Sequence, residues 1–137
     1  MPVKDTTAMI AAMTPVLTPD IWVYCSEANA DTASALSGSA FALVQEDEGA
    51  TLILPFDTAQ KAGYDVSVPM SRITLNVYSD LEGVGLTAAV ARALTDEGIS
   101  CNVVAAYHHD HVFVPIHDAA RALEALEAAQ SAAAHFV

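Results

Sequence analysis

Along the second half of the chain the apolar positions change period twice. Ile73, Leu75 and Val77 alternate with Thr74, Asn76 and Tyr78, so residues 72–78 are predicted as a strand with one face on a core. Leu86, Val90 and Leu94 then recur at i, i+4 and i+8, which predicts a helix over about residues 84–97 that Gly98 stops. Residues 101–108 and 111–116 return to strand character. In the second of these, Val112, Val114 and Ile116 alternate with His111, Phe113 and Pro115, and Pro115, lacking a donor, belongs at a strand end or an edge. A last helix opens at Asp118 and carries Leu123 and Leu126 inward. Strand, helix, strand, strand, helix is the order of a small α+β sandwich with helices on one face of an antiparallel sheet.

The first half is less regular. Asp5 or Thr6 can cap a short helix with the stripe Met9, Ile10, Met13, and Pro15 ends it. Residues 14–19 read as an extended connector and residues 21–25 as a strand covered on both faces. Residues 26–39, small and polar, read as a loop with at most one helical turn, the most mobile part of the chain. Residues 41–46 and 50–54 flank Asp47-Glu48-Gly49 as a hairpin, and Asp57 is expected to cap a short helix ending at Gly63. A linker to Pro69 follows, dividing the chain into halves 1–69 and 70–137. The halves echo each other weakly: each closes a hairpin, places Pro at a strand end, and opens a helix at or near an Asp.

Composition narrows the partners. Five Lys and Arg stand against 17 Asp and Glu, a net charge of −12, so no basic face exists for nucleic acid or an anionic membrane. No apolar run reaches the ~20 residues of a bilayer span. The first residues lack the pattern of a secretory signal, so a cytoplasmic protein is expected. Cys25 and Cys101 lie in apolar strands outside any CxxC pair and read as buried thiols.

Two stretches could carry chemistry. In residues 79–87, Gly83 and Gly85 lie between a strand and a helix, so a carboxylate or phosphate could approach the first-turn amides. Ser79 and Glu82 also have capping-box spacing and could serve only to finish the helix. The glycines form neither GxGxxG nor a P-loop, so no nucleotide cofactor is expected. In Tyr107-His108-His109-Asp110-His111, three imidazoles and a carboxylate fall within four residues. They could be a polar hairpin end, a ligand-contacting edge, or metal ligands, with His109, Asp110 and His111 as the set and His117 as a further arm. No nucleophile setting such as GxSxG is present, and an enzyme is not expected.

On residues 73–75, the turn Glu82-Gly83-Val84-Gly85-Leu86-Thr87, residues 98–103, the hairpin 107–115 and, in the first half, residues 48–55, the chain resembles the ACT-domain family. The likeness is to small two-ACT proteins akin to CASTOR-type arginine sensors and to the regulatory end of aspartate kinases. It implies two tandem ferredoxin-like βαββαβ modules forming a continuous antiparallel sheet with helices on one face. It also implies a small-molecule ligand, an amino acid; the leading reading is a non-catalytic regulatory protein, and a homodimer is expected. By position, Gly83, Val84, Gly85, Leu86 and Thr87 would offer backbone groups to the ligand carboxylate, Asp110 would receive a cationic group, and Glu82 or Asp110 would hold the ammonium of a zwitterion. Ala42, Leu43 and Val44 would form the opposite wall. Three features depart from the family: Glu82 and Asp80 straddle the position where the usual turn carries an Asp, the hairpin is His-rich, and a final strand is missing or reduced to Phe136-Val137. The alternative readings are a divalent-metal protein using the His108–His111 cluster and a ligand-free homodimeric interaction module.

Overall fold

A computed structural model describes residues 5–77 and 84–136. Five α-helices and six strands follow one another in these stretches: α1 (Thr6–Ala12), β1 (Pro15–Glu27), α2 (Ala30–Leu36), β2 (Ala42–Glu46), β3 (Gly49–Pro55), α3 (Phe56–Lys61), β4 (Met70–Leu75), α4 (Leu86–Asp96), β5 (Asn102–Ala105), β6 (Asp110–Pro115) and α5 (Ala119–Ala134). The strands are hydrogen-bonded in the order β2-β3-β1-β4-β6-β5 in an antiparallel α+β arrangement. The chain divides into two compact units, one made of Met1–Pro19 with Ser71–Val137 and the other of Asp20–Met70.

In the unit formed by the two chain ends, the strand and helix stripes meet. Ile73, Leu75 and Val77 pack with Leu86, Val90 and Leu94, with Val112 and Val114, and with Ala119, Ala122 and Leu126 of α5. Met9 and Met13 of the short first helix are buried in the same core. Asp5 caps that helix, its carboxylate accepting from the Ala8 amide at 2.8 Å. Past the helix the chain turns at Thr14, whose φ is +38°, and the Asn76 amide donates to the Met13 carbonyl at 2.7 Å.

Residues 15–19, expected as a connector, are the start of the 13-residue strand β1. Thr18 Oγ1 donates to the Arg72 carbonyl, so this segment lies along β4. Its two prolines are tolerated because β3 pairs with Trp22–Glu27, which leaves residues 15–19 without a strand partner on that side among the described residues. The strand that the family pattern places after the last helix is thus supplied from the N-terminal end of the chain.

The other unit has its own core of Val23, Cys25, Ala33, Leu52, Leu54 and Ala59. β3 runs antiparallel between β1 and β2, with Cys25 opposite Leu52 and Leu43 opposite Leu52 on its other side. Gly49 opens β3 at φ +130°, where a Cβ would stand 2.7 Å from the Glu27 carbonyl oxygen. Residues 30–36, expected as part of a loop, form α2, because Asn29 accepts from the Thr32 amide at 3.0 Å and closes its first turn. Asp57 does not cap α3; it lies in that helix's first turn, and Pro55 holds the cap position. Asp118 holds the cap position of α5, but its carboxylate accepts from Arg121 at 2.8 Å and makes no capping bond. Among the described residues no helix is long and apolar enough to cross a membrane.

Candidate functional site

Of the residues expected at the ligand site, Glu82, read as an ammonium partner, and Gly83, read as a carboxylate donor, lie outside the described residues, as does the Ser79–Glu82 capping box. Val84, Gly85, Leu86 and Thr87 form the approach to α4 and its first turn. Gly85 occupies the N-cap position with φ +104°, and no side chain caps the helix there. Its first turn also carries no acidic residue, and Gly85, having no side chain, gives the amides that start α4 no cap. Val84 is 77% exposed, whereas the Leu86 side chain is buried in the core and only its backbone could serve a ligand.

One neighbour of this turn escaped sequence reasoning. Thr6, the first residue of α1, donates its hydroxyl to the Val84 carbonyl. A Cβ on Gly85 would lie 2.8 Å from Thr6 Cγ2 and 2.9 Å from its Oγ1. The freedom of Gly85 therefore admits the threonine side chain. No spacing rule links residues 78 positions apart, and the only hint was that a helix capped by Asp5 must dock somewhere.

Asp110 is the first residue of β6, opposite Ala105 of β5. The order β4-β6-β5 sets β6 beside β4 and antiparallel to it. Asp110 therefore lies beside the Leu75 end of β4, the end from which the chain continues toward α4. Asp110 shares the parity of Val112 and Val114, both core residues, and is only 8% exposed. Burial pushes its carboxyl above the usual carboxylate range, and the nearby His109 offsets part of the rise.

Of the other hairpin histidines, neither is placed with that carboxylate and His109 as a set of three. His111, one residue on, has the opposite parity, and its Nδ1 lies 3.0 Å from Thr74 Oγ1. Burial lowers its pKa, with the Arg72 guanidinium and His109 adding to the effect. His108 stands edge-on to Tyr107 at the hairpin tip, their ring centroids 5.1 Å apart. Among the described residues no three His, Cys, Asp or Glu side chains are placed to hold a metal ion. Asp110 and His111, adjacent on β6, point to opposite faces of the sheet. Ala42, Leu43 and Val44 belong to the other unit, on β2. Leu43 packs against that unit's core, while Val44, next along the strand, is 54% exposed.

Comparison with known proteins places this geometry in a lineage. No curated protein matches the sequence. Among solved structures, a Vibrio cholerae protein of unknown function, described as a possible transport protein, is 40% identical; the match covers 90% of this chain and 94% of that one, with a TM-score of 0.80. The regulatory subunit of aspartate kinase from Thermus flavus is 16% identical over 86% of this chain and 98% of its own, with a TM-score of 0.60. Aspartate kinase from Clostridium acetobutylicum is 12% identical over 85% of this chain and 34% of its own, with a TM-score of 0.63, and at such identities the likeness concerns the fold alone. The ACT domain matches twice, over residues 2–71 and 68–128. With both halves matched and a two-module sheet of the expected class, the chain belongs to the ACT-domain family.

Proposed function

We propose that this chain is a non-catalytic regulatory module that binds an amino acid at the end of the unit where α4 begins, and that it works as a homodimer. The observation that carries the reading is Asp110, a nearly buried carboxyl group in the same unit as a helix that opens at Gly85 without a side-chain cap from that residue. The amides of Leu86 and Thr87 suit a ligand carboxylate, and Asp110 suits an ammonium or guanidinium. Gly83 and Glu82 join the site by their place in the family pattern. Charge-assisted contacts of this kind contribute roughly 1.5–3 kcal/mol each when sheltered, so two or three support micromolar to millimolar binding. The similarity of the fold to aspartate kinase regulatory subunits favours sensing over catalysis. β2 and β5, at the two ends of the strand order, each offer one unpaired edge on which copies of the chain could associate.

Thermal unfolding of the full chain against each of the twenty amino acids tests the binding reading. A cognate amino acid at 100 times its dissociation constant adds about 2.7 kcal/mol of stability. Asp110→Ala should abolish that increment, measured from the variant's own baseline, and His109→Ala should leave it. If no amino acid raises the unfolding temperature, or if Asp110→Ala leaves the increment intact, the reading fails. Sedimentation analysis decides the homodimer separately.

A further inference from the structure

The segment that leads into α4 is held by α1, and α1 is itself firmly anchored. Met9 and Met13 are buried in the core. The Met13 carbonyl accepts from the Asn76 amide at 2.7 Å, and the Ala11 carbonyl accepts from Gln130 of α5 at 2.9 Å. At the other end of the helix the Asp5 carboxylate accepts from the Ala8 amide and the Asp5 carbonyl from the Met9 amide, each at 2.8 Å. Thr6, the first residue of α1, is therefore a fixed point, and its hydroxyl donates to the Val84 carbonyl.

That bond fixes a whole peptide plane. In a trans peptide the C=O and N–H point in opposite directions, and among the described residues no peptide is cis. Tying the Val84 carbonyl to Thr6 therefore turns the Gly85 N–H away from α1. The Gly85 carbonyl is engaged too, accepting from the Ala89 amide at 2.9 Å inside α4. Both carbonyl oxygens of this turn thus have donors within the unit. Val84 is largely exposed, so its side chain adds little hold, and the conformational freedom of glycine makes reversal of the Val84–Gly85 peptide cheap. Reversal would set a carbonyl oxygen where the amide had been, against an incoming carboxylate.

We propose that Thr6 is a positioning residue of the amino-acid site: it locks the Val84–Gly85 peptide so that the Gly85 N–H joins those of Leu86 and Thr87 in receiving the ligand carboxylate. The inference rests on the binding reading above and adds to it a residue 78 positions away in the chain. Thr6 also lies against the Cα of Gly85, so a side chain at that position would push the hydroxyl off the carbonyl it holds.

The test compares the full chain with Thr6→Val, which keeps the shape and loses the donor, and with Thr6→Ser, which keeps the donor. Thr6→Ala takes the place of Thr6→Val if the latter fails to fold. In the ligand-free proteins the residual dipolar coupling of the Gly85 N–H reports the direction of that peptide. It should keep the parent's value in Thr6→Ser and depart from it in Thr6→Val, while the couplings of β6 stay unchanged in both. Calorimetric titration with each of the twenty amino acids, below the unfolding temperature of every variant, supplies the second readout. An amino acid that binds the parent should bind Thr6→Val about fivefold more weakly, the factor expected for one hydrogen bond, and Thr6→Ser about as well as the parent. An unchanged Gly85 coupling in Thr6→Val overturns the proposal whatever binds. So does a changed coupling with undiminished affinity, which would turn the Gly85 N–H away from the ligand, and so does a weakening that Thr6→Ser fails to restore. If no amino acid binds the parent, the binding reading itself falls and the proposed role in the site falls with it, while the coupling still decides whether Thr6 sets the peptide.

Discussion

Gly85 and Asp110 show how one residue can look alike in sequence and differ in physical role. Gly85 reads as a ligand-approach glycine, yet the space beside its Cα is filled by Thr6. Gly85→Ala meets two costs, a left-handed backbone and a methyl driven against that side chain, and should lower stability by about 2 kcal/mol or more. Thr6→Ala removes both nearest atoms, so in that background the cost of Gly85→Ala should fall to about 1 kcal/mol, the backbone part alone. Equal costs in the two backgrounds, by urea unfolding, would show that Thr6 does not sit on the glycine. For Asp110 the sign follows from its raised pKa. The folded protein favours the neutral acid, so its contribution is present at low pH and is lost as pH rises through the raised value. Asp110→Asn should therefore raise the unfolding temperature at pH 7 by about 3 °C, on the order of 1 kcal/mol, with the gain vanishing toward pH 3. A variant less stable than the parent at neutral pH would mean that the carboxylate has a partner that supports it.

At the scale of elements, legibility followed the apolar stripes. Leu86, Val90 and Leu94 mark α4, and Ile73 and Leu75 mark β4, because in both cases periodic burial holds the element in place. The helix α2 has no stripe; only Ala33 is buried. Its Asp, Thr and Ser residues favour local bonds that compete with helix, so composition alone reads as loop. The signal that was present is Asn29 ahead of Asp31, a cap followed by an acidic first turn. A helix held mainly by its cap should be sensitive there. Asn29→Ala is expected to cost about 1 kcal/mol and lower the unfolding temperature by about 3 °C, whereas Asp31→Ala should cost a few tenths. Equal, negligible effects of both would place the stability of α2 elsewhere. The start of β1 is the opposite case. Pro15 and Pro19 argue against a strand, and only the pairing partner of residues 15–19, remote in sequence, overrides them.

For the whole molecule, the fold class was readable from the order of elements and the family likeness, but the route of the chain was not. The two family matches divide the sequence near residue 70, while the compact units exchange Met1–Pro19. Residues 15–19 lie along β4, in the place the family pattern gives to a final strand, and Met9 and Met13 of α1 complete the core beneath. Gln130 of α5 reinforces this by donating to the Ala11 carbonyl at 2.9 Å. A fragment of residues 70–137 therefore lacks one strand, one helix and two fully buried methionines. Each large buried side chain removed from a core costs about 2–5 kcal/mol, and domain stability is only about 5–15 kcal/mol. The fragment should give a broad, uncooperative unfolding curve and little protection of amides in β4. Joining residues 5–19 to its C-terminal end through a flexible linker should restore a cooperative transition, because the segment would then return to β4 in the order the family pattern prescribes. Cooperative unfolding of the fragment at the stability of the full chain would show instead that the exchanged segment is only attached to this unit and does not build it.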